Sequence, residues 1–147
     1  MWSAVTKAFA EKNYKWVRSL YKKLLLLGLA GVACEFMIIP FLQFGFDIWL
    51  GEKTIPVHYG YAVTFACMGS MLIFNGVVAS IANGLGKLRT QAVCYTIGAV
   101  MKFLLSYLLI DLLGSWIGVL IANVVALGIY CVVQPFVLHR TLKRLEA

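Results

Sequence analysis

The feature that most constrains this chain is a series of four long apolar runs separated by short polar segments. The runs extend over about residues 24–46, 59–82, 92–113 and 116–138. The hydrocarbon core of a bilayer is about 30 Å thick, and an α-helix needs about 20 apolar residues to cross it. With 62% apolar and 13% charged residues, the chain also has too little polar surface for a soluble domain. We therefore expect an all-α, polytopic membrane protein with four transmembrane helices.

Lysine and arginine residues predict how these spans are oriented. Six precede the first run, two lie between the second and third runs, and three follow the fourth: Lys7, Lys12, Lys15, Arg18, Lys22, Lys23, Lys87, Arg89, Arg140, Lys143 and Arg144. The loops on the other side contain Lys53 alone. Because cytoplasmic loops carry the excess of cations, both termini and the 83–91 loop are expected in the cytoplasm. Topology thus accounts for the net charge of +7, and we expect no nucleic-acid partner.

The residues before the first span and after the last are basic. Residues 1–23 form an amphipathic segment in which apolar and basic residues take opposite helical faces near the first run; the apolar face consists of Trp16, Val17, Leu20, Tyr21 and Leu24. This pattern is typical of a helix that lies on an anionic leaflet. A polybasic segment that only fixes topology is the alternative. Residues 139–147 are expected to form a basic cytoplasmic tail.

Small residues predict where helices pack. In the fourth run they recur at every fourth position, at Gly114, Gly118, Ala122 and Ala126. This spacing lines one helix face and allows a second backbone to approach closely. Pro40, late in the first run, is expected to kink or break that helix because it lacks a backbone N–H.

Two ionisable residues, Glu35 and Lys102, lie well inside apolar runs. Each follows the start of its run by about ten positions, which places both roughly 16 Å from the same membrane boundary. An unpaired charge facing lipid is costly, so both are expected to face protein or water. They form an internal salt bridge, or Lys102 presents its charge to an anionic substrate while Glu35 tunes it or binds a coupling cation. A third alternative is that Lys102 reaches to the membrane surface.

No constellation of catalytic residues is recognisable. His58 and His139 lie at opposite membrane boundaries, and the four cysteines lie one in each run. No paired carboxylates or nucleophile–base sets occur at catalytic spacing. We expect no enzyme, no metal site and no cofactor.

Four segments carry a resemblance to a known family. They are residues 47–51 (DIWLG), 82–91 (ANGLGKLRTQ), 102–106 (KFLLS) and 113–119 (LGSWIGV). In this order and spacing, from about residue 15 onward, the chain resembles the C-terminal part of the polysaccharide biosynthesis (O-antigen) flippases. These proteins belong to the multidrug/oligosaccharidyl-lipid/polysaccharide exporter superfamily.

The resemblance implies transport of an undecaprenyl-pyrophosphate-linked oligosaccharide, such as a lipopolysaccharide O-antigen unit, across a bacterial inner membrane. In this family, cationic residues in a cavity between two helical lobes are thought to receive the pyrophosphate, and Lys102 is the candidate by position. Relatives have many more spans than this chain. The resemblance therefore implies a truncated or split protein whose partners are membrane lipid, the lipid-linked oligosaccharide, and a second chain with the missing helices or further copies of itself.

Two other functions fit the sequence. One is a complete, small, four-helix exporter that acts as a homodimer and uses Glu35 as a proton-coupled carboxylate. The other is a membrane protein without transport activity that binds partner helices through the small-residue stripe of the fourth run.

Overall fold

The computed structural model of the chain describes residues 2–146, with side chains through residue 145. Its α-helices are α1 (Trp2–Ala10), α2 (Tyr14–Ile38), α3 (Leu42–Leu50), α4 (Tyr59–Gly84), α5 (Leu88–Leu113) and α6 (Ile117–Glu146). Residues 2–146 contain no β-strand. Four stretches are long and apolar enough to cross a membrane: Tyr14–Lys53, α4, α5 and Ile117–Leu145. The expected all-α fold is confirmed, with four such helices after a short N-terminal helix.

Pro40 interrupts the first span. A short 3₁₀ turn over Ile39–Phe41 separates α2 from α3, and a second 3₁₀ turn over Gly51–Lys53 follows α3. Proline cannot donate the backbone hydrogen bond of a regular α-helix, so the α-helical ladder breaks at this point. The expected break at Pro40 is therefore present.

The basic residues next to the first and last spans belong to the spanning helices themselves. Asn13 begins α2 by accepting a hydrogen bond from the backbone N–H of Trp16, at 3.2 Å, and α2 then runs unbroken to Ile38. The segment over residues 15–24 is thus continuous with the first span; α1 packs over it, and Val17 is fully buried. The expected tail continues α6 through Glu146. Met1 and Ala147, the outer limits of the two predicted segments, lie outside the described residues.

The buried core lies at one end of the helix bundle. Val5 of α1 packs against Gly84, where a Cβ atom would overlap with the valine side chain. The same core includes Val17, Ile81 and Leu138. We call this the basic end; it comprises the first turns of α2, the α4–α5 loop and the last turns of α6. At the opposite end, the ring centroids of Tyr61 and Trp116 lie 5.0 Å apart. The two ends of the described chain thus lie on the same side of the bundle.

Small residues bring α5 and α6 together. A Cβ atom added at Gly118 would lie 2.7 Å from the carbonyl carbon of Leu109, and one at Gly98 would lie 3.0 Å from the carbonyl oxygen of Ala126. Ala122, between these two points, is fully buried. The helix backbones are therefore nearly in contact along this seam.

Gly114 does not belong to the seam, contrary to the prediction from its spacing. It ends α5 in a left-handed conformation, with φ of +57°, and α6 begins only at Ile117. No atom lies within 4 Å of the position that a Cβ would take there. Glycine is favoured at this position by its backbone conformation and not by helix packing.

Candidate functional site

Glu35 is held in the contact between α2 and α4. Its carboxylate lies against Gly69, where a Cβ atom would overlap with it, and Ser70 Oγ lies 3.5 Å from Glu35 Oε2 as a donor. The same hydroxyl lies 2.8 Å from the carbonyl oxygen of Ala66. The side chain of Glu35 is half-buried. A glycine and a serine on α4 thus give this carboxylate space and a polar neighbour inside the chain.

Glu35 also lines a groove of about 860 Å³ between α2, α3 and α4. His58 and Tyr61 are the other groove residues with ionisable side chains, and the remaining lining is aliphatic and aromatic. The groove runs from Glu35 towards the opposite end, where Trp49 and Pro56 line it. An apolar groove with one carboxylate is suited to a proton or to an apolar molecule with a cationic group.

Lys102 lies on a different pair of helices. It follows Gly98 by one helical turn and precedes Leu109 by two, so it shares the face of α5 that touches α6. At about 1.5 Å per residue, it is about 21 Å from the start of α5 and about 16 Å from its end. Its side chain is half-buried. Lys102 therefore lies in the middle of a membrane-spanning helix, beside the α5–α6 seam.

Glu35 and Lys102 do not form the salt bridge that their similar depth in the membrane suggested. Within residues 2–145, Lys102 has neither a hydrogen bond nor an ion pair. The reason is the helix arrangement, because α2 packs on α1, α4 and α6, whereas α5 packs mainly on α6. One turn after Lys102, the buried Oγ of Ser106 has no hydrogen-bond partner in this part of the chain either. Two polar groups on one face of α5 thus lack partners there.

A partly buried polar cluster joins α4, α5 and α6, and it was not predicted from the sequence. Tyr95 donates a hydrogen bond of 2.5 Å to Asn75 Oδ1, and Tyr130 reaches Gln91 Oε1 at 3.5 Å. The rings of Tyr95 and Tyr130 lie 4.9 Å apart. Gln134, one turn beyond Tyr130, is fully buried, and neither of its amide atoms has a partner within the described residues. The signal was available, because amide side chains inside apolar runs must find polar partners.

We compared the chain with known proteins. Set against profiles of known protein families, curated proteins and solved structures, the chain matches none of them. The fold and its apolar helices define a polytopic membrane protein. Its most informative residues are Glu35, placed against a neighbouring helix, and Lys102, which has no hydrogen bond or ion pair within residues 2–145.

Proposed function

We propose that this chain supplies four transmembrane helices of a flippase for undecaprenyl-pyrophosphate-linked oligosaccharide, such as an O-antigen unit, in the bacterial inner membrane. The resemblance of residues 47–51, 82–91, 102–106 and 113–119 to that family gives the substrate class. The observation that carries the proposal is Lys102, in the middle of α5 and without an ion pair in residues 2–145. A cation at this depth requires an anionic or polar partner.

The pyrophosphate of the lipid-linked substrate is an anionic group that could pair with the ammonium of Lys102. An ammonium group offers three donors and a compact positive charge, which suits phosphate oxygens. In the proposed function, Lys102 binds the pyrophosphate while it passes between leaflets.

The proposal includes an orientation and a partner. The basic end faces the cytoplasm, by the positive-inside rule, so both termini are cytoplasmic. Much of α5 is open to its surroundings; for example, Phe103 and Tyr107 are more than three-quarters exposed. A second chain with further helices, or a second copy of this chain, forms the other wall of the pathway next to Lys102.

The experiment is a transport assay in cells that depend on this chain to export the oligosaccharide. Lys102→Ala and Lys102→Gln are expected to lower export at least about tenfold, which corresponds to about 1.4 kcal/mol. Lys102→Arg retains the charge and most of the activity. Lys53→Ala, in the turn after α3, is the matched control for loss of one lysine. Full export by Lys102→Ala, or failure of Lys102→Arg as severe as that of the alanine variant, contradicts the proposal.

The groove beside Glu35 favours a second candidate, a small cation-coupled exporter acting as a homodimer. Its single carboxylate faces an otherwise largely apolar surface and forms no ion pair within residues 2–145. This candidate predicts proton-dependent resistance to apolar cations that Glu35→Gln abolishes. The flippase proposal predicts instead that Glu35→Gln retains export of the oligosaccharide, so the same variant separates the two functions.

A further inference from the structure

The basic end of the bundle contains two neighbouring clefts. The first has a volume of about 810 Å³ and is lined mainly by the first turns of α2; the second, of about 550 Å³, lies between α2 and α6. Arg18 and Lys22 line both. Among residues 2–145, no acidic side chain lines either cleft. The two clefts thus form one region of positive charge.

The second cleft is assembled from distant parts of the sequence. On α2, Arg18, Lys22 and Leu25 follow one another at helical spacing, and on α6 His139 and Lys143 are one turn apart. These residues line the same space, although more than a hundred positions separate the two segments. The cations therefore converge because the fold brings the first turns of α2 to the last turns of α6.

The second cleft has one charged part and one apolar part. Arg18, Lys22 and Lys143 provide the cations, whereas Tyr21, Leu25 and Leu142 provide the apolar lining. Leu25 lies where the basic residues of α2 give way to its long apolar run. The cleft thus pairs cations with apolar surface at the level where a membrane pairs phosphates with acyl chains.

From this arrangement we propose that the cleft between α2 and α6 binds an anionic phospholipid. Its phosphate lies between Lys22 and Lys143, and the start of its acyl chains lies against Leu25 and Leu142. Lys22 and Lys143 are about 120 positions apart in the sequence, so no single sequence motif marks this site. The site is separate from Glu35 and Lys102. The inference goes beyond the proposed function and does not rest on it.

The test measures lipid binding to the full chain in a neutral detergent. Short-chain phosphatidylglycerol is titrated by calorimetry into the wild type, into Lys22→Gln/Lys143→Gln, and into the control Lys87→Gln/Arg89→Gln. The control removes the same charge from exposed positions next to the α4–α5 loop, also at the basic end but outside the cleft. Each cation near a phosphate contributes about 1 kcal/mol, so the cleft variant is expected to bind about thirty-fold more weakly. The control is expected to bind within about threefold of the wild type.

Additional variants and ligands in the same titration test which features of the cleft and of the lipid are required. Lys22→Arg/Lys143→Arg retains the charge and is expected to bind within about threefold of the wild type, which checks that substitution at these exposed positions leaves the cleft folded. Equal losses in the cleft and control variants would overturn the proposal, because they would indicate a diffuse surface potential. Phosphatidylcholine bound as tightly as phosphatidylglycerol would overturn the requirement for an anion. Inorganic phosphate bound as tightly as the lipid would overturn the role of the acyl chains.

Discussion

Two close helix contacts each contain a half-buried ionisable residue: the α2–α4 contact contains Glu35, and the α5–α6 seam contains Lys102. The two residues differ in the partners that the chain provides for them. At Glu35, Gly69 leaves the space that the carboxylate occupies, and Ser70 approaches it as a donor. At Lys102, the close points lie one turn before and two turns after the lysine, and no acceptor in residues 2–145 reaches the ammonium. Within residues 2–145, Glu35 thus has both space and a polar neighbour, whereas Lys102 has neither a hydrogen bond nor an ion pair.

The largest stability effect is expected at the α5–α6 seam. Gly118→Ala places a methyl group 2.7 Å from the backbone of Leu109, so the two helices must separate, at a cost of about 2 kcal/mol. Gly128→Ala, on the same helix with no atom within 4 Å of the new methyl group, is the control. It is expected to be neutral or to stabilise α6 by about 0.5 kcal/mol. The free energy of unfolding in mixed micelles measures both, and equal effects would contradict a close seam.

The next effect concerns a polar group of α5 that does have a partner in the chain. Tyr95→Phe removes the hydrogen bond to Asn75 and leaves a buried amide oxygen unpaired, so we expect a loss of about 1.5 kcal/mol. Tyr107→Phe, on the same helix and largely exposed, is the matched control and is expected to change stability by less than about 0.5 kcal/mol. If Tyr95→Phe behaves like this control in the same unfolding assay, the polar cluster does not join α4 to α5.

A smaller effect is expected where α4 leaves space for Glu35. Gly69→Ala displaces the end of a flexible side chain and not a backbone, so the expected cost is about 1 kcal/mol. The combination Gly69→Ala/Glu35→Ala removes the overlapping group and is expected to be less destabilised than the sum of the single variants. Strict additivity of the two substitutions would show that the carboxylate does not occupy this space.

The smallest effect is expected from Lys102 in the isolated chain. Because its ammonium has no ion pair within residues 2–145, Lys102→Gln removes the charge of a half-buried side chain without removing a hydrogen bond or an ion pair there. The free energy of unfolding should stay within about 0.5 kcal/mol of the wild type or rise. The same substitution is expected to lower export strongly, and this contrast distinguishes a functional lysine from a structural one. A loss of stability of about 2 kcal/mol would indicate a partner within the chain.

The sequence allowed the helices to be predicted better than their contacts. Apolar runs and Pro40 were sufficient for four spans and for the break in the first, because span length and the missing proline N–H act locally. A salt bridge between Glu35 and Lys102 was one alternative, based on their depth along two helices, and depth does not specify which helices touch. Likewise, the four-residue spacing included Gly114, although a positive φ ends α5 there before α6 begins. The burial of Val17 could not be predicted either, because it depends on α1, which folds back over this residue.

A double-mutant cycle on Glu35 and Lys102 measures whether these two charges interact in the folded chain. The free energies of unfolding of Glu35→Gln, Lys102→Gln and the double variant are compared with that of the wild type in the same micelles. Because α2 packs on α1, α4 and α6 whereas α5 packs mainly on α6, and because Glu35 and Lys102 form no salt bridge within residues 2–145, we predict a coupling energy below about 0.5 kcal/mol. A coupling energy of about 1 kcal/mol or more would mean that the two charges stabilise each other, and would contradict the separate placement of Glu35 and Lys102.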